Sequence, residues 1–185
     1  MAKTRRIEGY AIVSADGMLA NAQGVMPEEL KVPGDQHFFA DSLDRVDAVV
    51  HGCHSHENQP HSAQRRRLIL THKIPALAPD PNNTKALFWN PAGASFDTAL
   101  DELGVGDGVI AIIGGTDVFG RFLNSYDAFH LSHAPDVRLP GGRPVFPQVP
   151  ARTPEDVLAS HGMKAGEPRL LDPQRGATLV TWTRG

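Results

Sequence analysis

Residues 109–123 read Val-Ile-Ala-Ile-Ile-Gly-Gly-Thr-Asp-Val-Phe-Gly-Arg-Phe-Leu, and the rest of the chain can be organised around them. Five consecutive apolar residues, Val109–Ile113, are expected of a strand covered on both faces, which is the habit of parallel sheets. The strand runs straight into Gly114-Gly115. Thr116–Leu123 then spaces Phe119, Phe122 and Leu123 as a short helix does. Paired glycines let a backbone or a ligand approach closely, and the free N–H groups opening the next helix favour an anion. A plain tight turn needs the same two glycines, so the pair alone does not decide between them. The three spaced glycines of the dinucleotide fingerprint are absent.

Outward from this segment, short apolar strands alternate with helical stretches. Ile7–Ser14, Val46–His51, Arg67–Thr71, Ala86–Trp89 and Asp127–Ser132 read as strands. Gly34–Leu43 and Ser95–Leu103 read as helices, with Asp97 early in the second, where a carboxylate suits the helix dipole. Leu19–Pro33 is a long polar segment of the kind that tends to carry function. After Pro147 the signal weakens, and Glu155–His161, Arg169–Asp172 and Ala177–Thr183 are expected to finish the sheet as strands. The alternation argues an α/β domain with a largely parallel sheet and an antiparallel edge, formed by residues 1–185 as one domain.

Bulk properties narrow the function. With 185 residues, 41% hydrophobic and 21% charged, the chain has the make-up of a globular protein. A net charge of −3 gives no sign of a nucleic-acid partner, and the basic run Arg65–Arg67 is short. No apolar stretch approaches the ~20 residues of a membrane span, and the N-terminal residues do not read as a signal peptide. The single cysteine, Cys53, excludes an internal disulfide and fits a reducing, cytoplasmic setting. The expected partner is a small molecule, without nucleic acid or membrane, and a homodimer stays open.

Four strand ends hold the residues with chemistry. Gly114-Gly115-Thr116-Asp117 is the first. Gly52-Cys53-His54-Ser55-His56-Glu57 is the second, with Ser55 placed to cap a following helix. His51, Cys53, His54, His56 and His61 also crowd into eleven residues, so a metal-binding or regulatory role is a rival reading. Alternate strand residues face opposite ways and no second cluster completes a site, which weighs against it. Third is Asp35, beside Phe38 and Phe39. It reads either as a helix cap or as a carboxyl group whose ionisation an apolar wall makes costly. Ser132-His133, at the end of a strand, is the fourth.

In order, these segments resemble the dihydrofolate reductase family, including the related reductase domain of riboflavin biosynthesis. Gly9–Ala20 is similar to the family's first strand and turn, Val25-Met26-Pro27 to its mobile loop, and Asp35–Phe39 to its acid-bearing helix. Ala48–Glu57 is similar to the strand and helix start that receive cofactor phosphates, Ile112–Leu123 to the Gly-Gly segment, and Tyr126–Pro147 to a later strand with its closing Phe-Pro. The match covers roughly residues 8–147. It implies a three-layer fold, a mixed and mostly parallel central sheet flanked by helices, and NADPH-dependent reduction of dihydrofolate or a related pterin. Under this resemblance Asp35 holds the pterin ring and assists its protonation, and Ser132 bonds both acid and ring. Phe39 and Met26 contact substrate, and Arg65 pairs with the glutamate tail. Gly52, His54, Ser55, Thr71, Lys73, Gly114, Gly115, Thr116 and Phe119 surround the cofactor; no metal is implied. Two departures stand out. Cys53 replaces an arginine that reads the extra phosphate of NADPH, and Glu28 follows Met26-Pro27 where the family commonly has an aromatic residue. Reduction of a ribosylaminopyrimidine is the alternative within the same fold, and an acid at Asp35 argues against it.

Overall fold

The computed structural model describes residues 3–54 and 60–185. The chain begins with strand β1 (Arg5–Ser14), a short β2 (Met18–Ala20) and helix α1 (Pro33–Leu43). It continues through β3 (Ala48–Gly52), β4 (Arg67–Leu70), β5 (Leu77–Asp80) and β6 (Asn83–Trp89). Next come α2 (Phe96–Glu102), β7 (Gly108–Ile112), α3 (Thr116–Arg121), β8 (Ala128–Ala134) and β9 (Arg143–Pro144). Helix α4 (Pro154–Ser160) and strands β10 (Met163–Ala165), β11 (Arg169–Asp172) and β12 (Ala177–Arg184) complete it. No helix among the described residues is long and apolar enough to cross a membrane.

Ten strands form one twisted sheet in the order β10-β12-β8-β1-β7-β3-β4-β6-β5, with β11 also paired to β12. The six central strands, β8 to β6, are parallel; β12 and β5 run antiparallel at the two sides. Two further strands, β2 and β9, pair separately. The parallel strands are apolar on both faces, as Val49 and Val50 illustrate. Val50, Ile110, Ile112, Phe129 and Leu131 face α2, α3 and α4, whereas Tyr10, Val49 and Ala111 face Leu43, Phe38 and Phe39 of α1. The sheet is therefore sandwiched, with α1 alone among the described helices on its side.

Most of the expected elements are present within a residue or two of their ends. Glu155–His161 is the exception, because it is a helix and not a strand. Thr153 accepts from the Asp156 N–H, Pro154 opens the first turn, Glu155 and Asp156 favour the dipole, and Val157 and Leu158 are buried. The sequence reading also passed over β5, an edge strand that tolerates Pro79, and the short β2, β9 and β10. The long segment Leu19–Pro33 is anchored at its far half: Glu28–Leu30 forms a 3₁₀ turn, and Leu30 and Val32 are fully buried against Ile12, Ala134 and Val137. Its near half turns at Asn21, whose side chain accepts from the N–H groups of Gln23 and Val25, leaving Val25 and Met26 exposed at the tip.

Candidate active site

Helix α1 delivers the one carboxyl group among the described residues that the surrounding protein pushes toward neutrality. Val32 occupies the N-cap position, no side chain caps the helix, and Pro33 supplies its first residue, so Asp35 stands at the third position. That removes the reading of Asp35 as a cap. Asp35 is only partly accessible, and burial raises its pKa to about 6. The Ser132 hydroxyl faces this carboxyl and works the other way, favouring the ionised form. Ser132 is 1% exposed, and its own Oγ is sealed from solvent without a well-formed hydrogen bond. It is placed by β8, between Ile12 of β1 and Leu179 of β12. A half-desolvated acid beside an under-used buried hydroxyl suits a ligand that offers donor groups.

The second part of the site lies where β3 and β7 end side by side. The Gly52 N–H donates to the Gly114 carbonyl at 2.8 Å, and the Cys53 N–H to Leu70 at 3.0 Å. Gly114 has φ +119°, a conformation only glycine adopts readily, and its peptide bond to Gly115 is cis. A Cβ on Gly114 would come within 3.2 Å of the Phe119 ring. Phe119 is itself fully buried between Phe129 and Phe146, so it forms the floor beneath Gly114. Gly115 is the N-cap of α3, and the Thr116 hydroxyl donates to the Pro144 carbonyl at 2.5 Å. The Thr116 side chain is thus spent on joining α3 to β9. What remains open to an anion here is backbone.

The other expected residues are scattered more widely. Thr71 is buried, its hydroxyl accepting from the Lys73 N–H, and Lys73 and His54 are exposed. Ser55 and the helix expected after it lie outside the described residues. Phe39 and Phe38 both pack on Tyr10, at 6.1 and 6.0 Å between ring centres. Met26 sits on the exposed loop tip. Arg65 is at the opposite end of α1 from Asp35, bonded to Asp44 at 2.7 Å. Two surface depressions lie among the described residues, one lined by Glu29, Asp136 and Arg175, the other, against α3 and the end of β4, by His72, Asp117, Arg121 and Gln148.

The histidine-rich segment assembles no metal site among the described residues. His51 is buried in β3 with Nδ1 2.9 Å from the Gly52 carbonyl, Cys53 is exposed, and His61 lies 4.0 Å from Asp44. His56 lies outside the described residues.

A cluster that sequence reading missed underlies the site. Glu8 accepts from His130 at 2.7 Å and from Arg6 at 2.8 Å, and its pKa falls to about 2, chiefly through His130. His130 stacks on Tyr10 at 4.6 Å, contacts Thr181 at 3.0 Å through Nδ1, and meets the edge of Phe38. At the far side, Arg175 joins Asp136 to the Glu29 carbonyl and so ties down the anchored half of the loop.

Solved structures with the same architecture were found. A putative riboflavin biosynthesis protein from Shewanella sp. PV-4 superposes with a TM-score of 0.68 at 19% identity, covering 97% of this chain and 99% of that one. Dihydrofolate reductase from Enterococcus faecalis, in a complex with NADP(H) and RAB-propyl, gives 0.66 at 18% identity, covering 97% and 96%. The fold is that of dihydrofolate reductase. A third match with this fold is a diaminohydroxyphosphoribosylaminopyrimidine deaminase/5-amino-6-(5-phosphoribosylamino)uracil reductase from Thermotoga maritima. There the TM-score is 0.63 at 14% identity, over 98% of this chain and 57% of that one. No protein-family model matches the sequence, and no curated protein matches it. Asp35, which faces Ser132 of β8, and Gly114-Gly115, which follow β7, both lie toward the carboxyl ends of parallel strands.

Proposed function

We propose that this protein is a reductase that uses NADPH to reduce a dihydropterin. The observation that carries the reading is the Asp35–Ser132 pair, a carboxyl group raised to about 6 beside a buried hydroxyl with bonding capacity left over. A pterin offers an amino group and a ring N–H side by side, and a carboxylate accepts from both at once. The protonated form of the same group has a proton to give at a pH where an ordinary aspartate has none. Ser132, which faces the carboxyl, offers one further polar contact to the ring.

For the cofactor, the fit rests on Gly52, Gly114 and Gly115, which keep side chains away from the end of β3 and β7, and on the open N–H groups of α3. When bound, the nicotinamide supplies the hydride. The protein's part is to hold two rings together, exclude water and manage a proton, which is why so few ionisable groups gather here. Lys73 and Arg121 supply positive charge near this end, and Asp117 opposes it.

The likeness to riboflavin-pathway proteins supports a second reading, reduction of a ribosylaminopyrimidine. Asp35 separates the two, because the resemblance ties an acid at this position to pterin binding. The deciding experiment measures NADPH-dependent turnover of dihydrofolate and of dihydrobiopterin by the parent protein and by Asp35→Asn. Turnover lost in the variant while NADPH still quenches tryptophan fluorescence supports the reading; equal turnover in the two proteins ends it.

A further inference from the structure

Arg175 bonds to two segments, and each of them leads to one half of the acid–hydroxyl pair. Its Nε and Nη2 donate to the two carboxylate oxygens of Asp136, at 2.8 and 3.2 Å, and Nη2 also donates to the Glu29 carbonyl. Asp136 follows Ser132 by four residues, just beyond the end of β8, and Glu29 precedes Asp35 by six, in the turn that leads into α1. The arginine is itself held in place. Asp172 accepts from the N–H groups of Gln174 and Arg175 at 3.0 and 3.2 Å, and the Gly176 N–H donates to the Asp172 carbonyl at 2.9 Å, closing the turn between β11 and β12. The same three segments also share one apolar cluster. It gathers Leu30 and Val32 from before α1, Ala134 and Val137 from after Ser132, Ala177 from after Arg175, and Ile12, the β1 partner of Ser132.

The start of α1 has no side-chain cap, so the placing of Asp35 depends on what grips the turn before it. An ion pair this open to water, with side chains 26% and 44% exposed, adds little stability. A planar guanidinium joined to a carboxylate through two bonds nonetheless fixes both distance and angle. Among the described residues no charged group acts on the Asp35 carboxyl, Arg175 included; burial and the Ser132 hydroxyl do. Any influence of Arg175 on the acid is therefore one of position. We infer that Arg175 is a positioning residue, which clasps the Glu29 turn to Asp136 and so holds Asp35 against Ser132 away from water. This rests on reading that pair as the ring-binding part of the site. Opening the clasp admits water to the carboxyl without removing any group that would touch substrate or cofactor.

The test follows the Asp35 carboxyl itself, by its NMR resonance in protein carrying isotope-labelled aspartate, assigned through its loss in Asp35→Asn. In the parent the group titrates at about 6, because burial outweighs the hydroxyl. Arg175→Gln and Asp136→Ala should each lower that midpoint by roughly one unit, toward the ordinary carboxylate range, as water returns. A through-space effect would separate the two, since losing a cation raises a carboxyl's pKa and losing an anion lowers it. Arg138→Gln, which removes an arginine lining the same depression but outside the clasp, should leave the midpoint in place. If Arg175→Gln fails to fold, Arg175→Lys replaces it: the charge stays, the fork is lost, and the midpoint should still fall. A merely structural part would lower the melting temperature and leave the midpoint unmoved. A midpoint that holds or rises in the Arg175 variant, or falls as far in Arg138→Gln, overturns the inference. In assays with dihydrofolate and dihydrobiopterin, kcat should fall about tenfold in Arg175→Gln while NADPH affinity, read by tryptophan quenching, stays within about twofold. Absence of turnover in the parent condemns the pterin reading alone, because the titration needs no substrate.

Discussion

His130 and Ser132 stand two residues apart on the same face of β8, and both lie beneath α1, yet their surroundings are opposite in kind. Around His130 every polar group is answered: both ring nitrogens have partners, Glu8 takes three donors, from His130, Arg6 and Tyr10, and its pKa drops to about 2. Around Ser132 little is answered, and the neighbouring Asp35 rises to about 6. One strand thus carries a closed network and an open one about 7 Å apart. A closed network stabilises the fold; an open one is maintained against the fold's interest and is where a ligand completes the bonding.

The strongest way to break this contrast is Asp35→Asn. Turnover is expected to fall by about 10²–10⁴ if the acid handles a proton. The stability effect has the opposite sign. A carboxyl group with a folded pKa near 6 and an unfolded one near 4 makes its contribution below about pH 4 and loses it as pH rises through 6. Ionised Asp35 then costs the fold about 2 kcal/mol near neutrality, discounted for its partial exposure. Asp35→Asn should consequently melt higher than the parent above about pH 7, and the gain should vanish near pH 4. A variant that melts lower at every pH refutes the open-site view. The same group predicts that parent turnover declines as pH rises through about 6, and that the variant's residual rate is flat there.

Glu8→Gln sharpens the comparison from the closed side. Here the folded pKa lies below the unfolded one, so the stabilisation is present above about pH 4.5 and is lost as pH falls toward 2. The variant should lose about 1–3 kcal/mol at neutral pH, flatten the acid limb of the stability profile, and keep turnover per folded molecule within about twofold. A turnover loss as large as that of Asp35→Asn would show that the two networks act as one.

Gly52→Ala carries the contrast to the cofactor end. Its Cβ would sit 3.4 Å from Val118 and 3.9 Å from the Gly114 carbonyl, tolerable contacts, so the melting temperature should hold. NADPH affinity, followed by tryptophan quenching, should fall about tenfold if the cofactor backbone passes here. Unchanged affinity would move the site. The smallest effect is expected of Cys53→Arg: a few-fold rise in the preference for NADPH over NADH, since a charge-assisted phosphate contact is about twice as strong as a neutral one. A smaller preference in the variant would reject Cys53 as the discriminating position.

Sequence pattern made the parallel strands and α1 legible, because continuous apolar runs and helical spacing are local signals. The same holds for Gly114-Gly115. The closed network was not legible, since Glu8 and His130 are 122 residues apart and nothing near either announces the other. The resemblance assigns Arg65 to a ligand carboxylate, but only the fold brings Asp44 against it. Helix α4 is a different matter: Thr153-Pro154-Glu155-Asp156 is a strong helix start, so the segment Glu155–His161, expected as a strand, is helical.

The start of α1 has a neighbour that follows it by more than 130 residues. A Cβ on Gly34 would lie 2.8 Å from the Leu171 carbonyl of β11, so the two backbones touch beside Asp35. The helix bearing the acid is synthesised well before the strand that packs against it. At about 5–20 residues per second, synthesis leaves Asp35 without this support for several seconds or more. A chain that stops before residue 169 should still pair β1 with β7 and β8, yet leave the start of α1 without the strand that packs against it.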